Sequence, residues 1–138
     1  MSKITEFKKR CSEEGIKFLD LKAVDLRGTL HHLTIPVGQV TEDVLENGVG
    51  FDGSSYGFAK TENSDMVLIP DLSTGKIDPF RTATTLSCYC SIHLANDDRD
   101  RFADDTRNVA IKAEELLKTL GIADKSHWGP EFEFNIFE

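Results

Sequence analysis

Ile16-Lys-Phe-Leu-Asp-Leu-Lys-Ala-Val-Asp-Leu-Arg-Gly-Thr-Leu-His-His-Leu-Thr-Ile-Pro36 reads as two strands around a turn. Apolar residues at Phe18, Leu19, Leu21, Ala23, Val24 and Leu26 stand among polar ones, in imperfect alternation. Arg27-Gly28 supplies the turn, and Leu30–Ile35 returns as a second strand that Pro36 closes. A hairpin is the natural expectation, with helices to either side. Upstream, Ile4, Phe7 and Cys11 recur at helical spacing, so residues 4–14 form a short amphipathic helix that Gly15 stops. Downstream, Thr41 caps a helix over Glu42–Asn47, and Gly48 ends it.

Beyond this core the chain alternates loops and short strands. Gly50-Phe-Asp-Gly-Ser-Ser-Tyr-Gly57 packs three glycines and two serines into eight residues, a loop in which the backbone turns sharply or approaches something closely. Met66–Ile69 is a short buried strand, Ile77–Phe80 a candidate for another, and Thr84–His93 a long one rich in β-branched and aromatic residues. The polar run Ala95–Asp100 is a candidate boundary. Asp104 or Asp105 then caps a helix to Leu120, with Val109, Ala113, Leu116, Leu117 and Leu120 on one stripe. The last segment, Glu131-Phe-Glu-Phe-Asn-Ile-Phe-Glu138, alternates strictly and reads as a strand. The fold class expected is α+β: a small sheet with a helix across it, then a further helix and strand.

Composition narrows the functions. The 138 residues carry a net charge of −8, which argues against nucleic acid, where clustered Lys and Arg neutralise phosphates. The longest apolar run, Met66–Pro70, is far short of the roughly 20 residues of a membrane span. The first residues lack the apolar core of a secretory signal, so a cytoplasmic location is expected. Cys11, Cys88 and Cys90 have no ligand-like spacing. Cys88 and Cys90 share one strand face and read as small buried thiols.

Two places could carry chemistry. Alternation sets Glu131, Glu133 and Asn135 on one face of the last strand, with the two glutamates roughly 7 Å apart. Carboxylates so held suit hard divalent cations, although a solvated strand face gives the same pattern. Asp52, among glycines and serines, could bind a small cation, or could bond its own backbone in an Asx turn. His31 and His32 are neighbours on a strand and face opposite ways, which disfavours a shared metal; no role is assigned to them, nor to His93 and His127.

Taken in order, Asp25-Leu-Arg-Gly28, His32-Leu-Thr-Ile-Pro36, Phe51-Asp-Gly-Ser-Ser55, Ser64-Asp-Met-Val-Leu-Ile-Pro-Asp71, Ile77-Asp-Pro-Phe80 and Gly129-Pro-Glu-Phe-Glu-Phe134 closely resemble the N-terminal third of bacterial-type glutamine synthetases. The resemblance implies a β-grasp domain over residues 1–100 and the start of a catalytic domain over 101–138. Such enzymes join glutamate and ammonia at the expense of ATP, through a γ-glutamyl phosphate, with Mg2+ or Mn2+ holding the phosphates. Carried over, Glu131 and Glu133 would be metal ligands. Asp52 and Ser55 would help form the ammonium pocket, with Asp65 near it. The resemblance also implies a homo-oligomeric ring with active sites between subunits, the Asp52 loop completing a neighbour's site. One departure lies after Ser55, where Tyr56-Gly-Phe-Ala-Lys60 stands in place of a tryptophan-bearing loop.

The chain ends at Glu138, before the remaining ligands that the resemblance implies, so it is expected to be one part of a ligase and inactive alone. Two alternatives stand beside that expectation: a non-catalytic β-grasp binding module, and a ligase relative that glutamylates another amine. The apolar stripes Val109–Leu120 and Phe132–Ile136 are expected to fold back on the sheet, to pair with a second copy, or to lack order.

Overall fold

The computed structural model describes residues 2–60 and 64–138. Helix α1 (Lys3–Glu14) is followed by β1 (Phe18–Val24) and β2 (Leu30–Pro36). Helix α2 (Glu42–Asn47) leads into β3 (Val49–Asp52). After it come β4 (Asp65–Pro70), the two-residue β5 (Lys76–Ile77), β6 (Thr85–Leu94) and helix α3 (Thr106–Thr119). The hairpin forms as expected, with Phe18 opposite Pro36 and Val24 opposite Leu30. One strand was not foreseen: Val49–Asp52 lies inside what reads as a glycine-rich loop, because pairing with β4 outweighs its weak local preference.

The sheet runs β2-β1-β6-β4-β3, with β5 beside β6. All its pairs are antiparallel except the central one, where β1 and β6 run parallel with Asp20 opposite Ser87. Since β1 occupies one edge of β6 along Thr85–Tyr89, β5 and β4 lie end to end along the other. A mixed sheet grasping a helix, with a parallel central pair, is the β-grasp arrangement, and the fold class is α+β as expected.

Alternation divides the sheet into two unlike faces. Leu19, Leu21 and Ala23 of β1, Leu86, Cys88, Cys90 and Ile92 of β6, and Met66 and Leu68 of β4 form one core with Phe7 and Cys11 of α1 and Leu45 of α2. Burying each large aliphatic side chain contributes about 1.5–3 kcal/mol. The cysteines are the buried free thiols expected, and the hydrogen bond with neighbouring Cys88, together with burial, drives the Cys90 thiol far upward. On the other face lies a polar network. Asp20, fully buried, accepts from Thr34 Oγ1, from His32 Nδ1 at 2.8 Å and from Ser87 Oγ at 3.3 Å. Lys22 Nζ reaches Asp78 at 3.1 Å.

The run Ala95–Asp100 forms a tight turn. Leu94 N–H donates to Asp100 O and Phe102 N–H to Ile92 O, so the chain pairs back along β6. Asp105 caps α3 as expected, accepting from Arg107 N–H, and its other oxygen takes the Ile92 N–H at 3.2 Å. Thr106 Oγ1 donates to Val24 O, and Arg107 pairs with Asp71. The root of α3 is therefore bound to β1, to β6 and to the residue that follows β4.

Past α3 the expectations need correction. Residues 131–136 are not a strand: no helix or strand is assigned beyond Thr119. An alternating segment becomes a strand only when a neighbour takes its N–H and C=O groups, and no described strand edge lies alongside it. Nor do the apolar stripes fold back on the sheet. Val109, Leu116 and Leu120 stay more than half exposed, and Phe132, Phe134 and Ile136 are at least 80% exposed. Near its start the tail meets α3, where Ser126 Oγ donates to Glu114, and Trp128 Nε1 donates in turn to Ser126 Oγ.

Candidate functional site

One end of the sheet gathers the carboxyl ends of β1, β3 and β6 with the first residues of β2 and β4, a consequence of the mixed strand directions. Two of the expected site residues meet there. The β3–β4 register sets Asp52 directly opposite Asp65, and both are exposed. Side chains directly opposite in an antiparallel pair stand about 4.5–5.5 Å apart at Cβ. Two carboxylates at that spacing repel, and a small cation between them relieves the repulsion.

The turn that follows Asp52 is built to bring polar groups to it. Gly53–Tyr56 is one turn of 3-10 helix, and Asp52 Oδ1 accepts the Ser54 N–H at 2.9 Å. The Asx turn weighed against cation binding is thus present, yet it leaves the carboxylate exposed rather than consumed. The Ser54 hydroxyl foremost, then Ser64 and more weakly Ser55, hold the Asp52 carboxyl below its ordinary value. Asp52 therefore stays an anion with lone pairs to spare. Gly53 packs closely on buried Met66: a Cβ there would lie 2.5 Å from its sulfur, so the thioether would have to shift. The Gly53 N–H donates to Ser64 O at 2.7 Å, which closes the turn onto the start of β4. Ser55 is exposed at the head of this turn. Asp65 also borders a shallow depression with Asp43, Asn47 and Arg99.

Behind the turn lie residues to which sequence reasoning gave no part. Tyr56 stacks on His31 with centroids 4.0 Å apart and planes 16° from parallel, and leans on Phe51 at 4.7 Å. Phe58 continues the cluster to Phe102. Asp25, buried, accepts from Arg27 and Thr29 N–H at 2.8 and 2.9 Å and lies 3.0 Å from His31 Nε2. The hydrogen bond from His31 leads the causes that lower its carboxyl to about 2. Asp25 before Arg27-Gly28 is a readable turn signal, but nothing local marks His31 as its partner. His31 and His32 do face opposite ways, one serving Asp25 and the other Asp20.

Glu131 and Glu133 are placed apart from any such scaffold. Both are exposed on the irregular tail. Among the described residues no group of three or more His, Cys, Asp or Glu converges as a metal site. The carboxylate pair has the donor chemistry for a hard cation, but not the six or more oxygens that such a cation takes.

Comparison with known proteins agrees with the fold. The chain is 43% identical over 131 residues to a glutamine synthetase of Mycolicibacterium smegmatis, which covers 94% of this chain and 27% of that protein. It is 44% identical over 128 residues to that of Escherichia coli, covering 92% and 27%. The cryo-electron microscopy structure of Plasmodium falciparum glutamine synthetase superposes with a TM-score of 0.77 at 26% identity, over 91% of this chain and 24% of that one. The chain thus spans about a quarter of the length of these relatives. Residues 15–95 match the family described as glutamine synthetase, beta-Grasp domain, with α3 lying beyond the matched region. By that match, over more than half its length, this chain belongs to the glutamine synthetase β-grasp family.

Proposed function

We propose that this chain is the N-terminal part of a glutamate–ammonia ligase and supplies the ammonium side of its active site. The observation that carries this reading is the register that sets Asp52 opposite Asp65 beside a serine-rich turn. An ionised Asp52 favours NH4+ over neutral ammonia, and a carboxylate in that place can then take a proton to release the nucleophile. Ser55, on the same turn, offers a hydroxyl to the same ion. A carboxylate pair of this kind favours ammonium over a bulkier amine, and the retention of Asp52 and Asp65 speaks against a binding module that would need neither.

Residues 1–100 form the β-grasp domain on this reading, and 101–138 begin the catalytic domain. Glu131 and Glu133 are the chain's contribution to a divalent site for Mg2+ or Mn2+, completed by residues of the remaining enzyme. The metal supplies positive charge against the phosphates of ATP. The exposed tail becomes a strand where a neighbouring segment pairs with it. The parent enzyme is a cytoplasmic homo-oligomer, and no described helix is long and apolar enough to cross a membrane.

Ammonium titration tests the site directly. Amide shifts at Ser54, Ser55 and Asp65 are expected to move with NH4Cl and not with equal NaCl. Asp52→Asn should weaken that response roughly tenfold or more, the worth of one charge-assisted contact. Equal responses to both salts would refute the ammonium assignment. The isolated chain is expected to form no glutamine from glutamate, ammonium and ATP, since charge on a transferred phosphoryl group needs several positioned cations.

A further inference from the structure

We propose that His31 is a positioning residue for the Asp52 turn: fixed at one ring nitrogen by Asp25 and stacked face to face on Tyr56, it sets the seat of residues 53–56 beneath the carboxylate. The inference rests on the reading of Asp52 and Asp65 as a cation pocket, and it gives the unusual residue after Ser55 a task.

The geometry runs upward from a rigid base. Asp25 is buried and accepts two backbone N–H groups of its own turn, at 2.8 and 2.9 Å, so its carboxylate has almost no freedom. Its remaining oxygen faces His31 Nε2 at 3.0 Å, with Arg27 Nη2 at 3.8 Å on the flank. That contact fixes the plane of the imidazole, and the imidazole presents that plane to Tyr56 at 4.0 Å. Tyr56 also meets Phe51, the residue immediately before Asp52, at 4.7 Å. Tyr56 thus rests on a β2 ring anchored by Asp25 and on a ring at the entry to its own loop. The last residue of the 3-10 turn cannot lift without breaking the stack.

What the stack controls lies two residues away. Ser54 gives both its N–H and its hydroxyl to Asp52, and those bonds exist only while residues 53–56 keep their turn. A lone 3-10 turn has poor intrinsic stability, and the exposed Asp52 cannot hold it from above. A stacked ring pair contributes beyond the area it buries, and a single marginal turn is an element whose population such a contact shifts. The titratable and charged groups around the imidazole are Asp25, Arg27 and Tyr56. Burial raises the Tyr56 phenol, so it remains neutral through the physiological range.

The carboxyl of Asp52 reports on the turn without any ligand. In carbon-detected NMR titration of the whole chain, its midpoint is expected below the ordinary aspartate value. It should rise toward that value in Tyr56→Leu, which keeps apolar bulk but offers no ring face. Tyr56→Phe should behave as the parent chain. His31→Gln, which keeps a polar group for Asp25 and loses the ring, should side with Tyr56→Leu. If Tyr56→Leu leaves the Asp52 midpoint and the Ser54 amide shift unchanged, the proposal is overturned. It is also overturned if Tyr56→Phe moves them as far as Tyr56→Leu, since the hydroxyl and not the stack would then matter. Should the histidine variant fail to fold, the pair at Tyr56 still decides. None of these readouts uses ammonium, so they succeed or fail separately from the ammonium titration.

Discussion

Asp25 carries a charge where the chain reverses between β1 and β2, and its environment is arranged for the anion. His31, Thr29 and Arg27 lower its carboxyl from 3.8 to about 2. A group depressed on folding contributes stability that is complete above its unfolded value and is lost as pH falls through its folded one. The window for Asp25 is therefore pH 3.8 down to about 2. Asp52, Asp71 and Asp78 are shifted the same way, Asp52 chiefly by Ser54, Asp71 by Ser73 and Asp78 by the Phe80 N–H. Melting temperature is expected to hold steady toward neutrality and to fall steeply below pH 4. Asp25→Asn should melt lower at pH 7 and lose less between pH 4 and 2, which calorimetry across that range would reveal. A steeper acid slope in the variant would contradict this account. Gly48 is a second residue with one acceptable identity. At φ +80°, a Cβ would sit 2.4 Å from Leu68 O and 2.9 Å from its carbonyl carbon. Backbone cannot yield as a side-chain tip does, so Gly48→Ala should cost about 2 kcal/mol or more, read as a lower urea midpoint.

Among the elements, the start of α3 and the end of β6 share a single carboxylate. Asp105 is 2% exposed, and it serves both the helix start and the Ile92 N–H of β6. Asp105→Ala would strand both donors, at about 2–3 kcal/mol together. Amide exchange should quicken at Ile92 and along the first turn of α3 while β1 and β2 stay protected. Element by element, legibility in the sequence followed how local the determining interaction is. Thr41 and Gly48 bracket α2, Asp105 caps α3, and the Arg27-Gly28 turn defines the first hairpin; each signal lies within a few residues of what it governs. β3 escaped notice because Gly50 and Asp52 are poor strand formers that only β4 makes extended. The final segment misled in the opposite direction: its alternation is strand-like, but alternation supplies a face and not a neighbour. At the candidate site, Asp52, Ser55 and Asp65 could be named from motif strings. The supporting Asp25–His31–Tyr56 contact could not, since it joins residues from two separate turns through ring geometry.

The whole molecule is unevenly finished. Every buried member of the hydrophobic core lies between Phe7 and Ile92. Beyond Thr119 the chain adds exposed Ile122, Trp128, Phe132, Phe134, Ile136 and Phe137 and buries none of them. Removing residues 121–138 should therefore shift the unfolding free energy by less than about 0.5 kcal/mol. The same deletion should abolish concentration-dependent self-association of the full chain in sedimentation experiments, because so many adjacent apolar side chains favour contact with one another. A large loss of stability on deletion would show that the tail packs on the sheet after all. The central pair of the sheet has another kind of consequence. Asp20 must find Ser87, sixty-seven residues downstream, before β1 acquires its inner neighbour. At about 5–20 residues per second of synthesis, the first hairpin waits roughly 3–13 s for the strand that completes it. During translation the first hairpin thus stays open along its inner edge until β6 emerges, and its apolar face is a natural early client for chaperones.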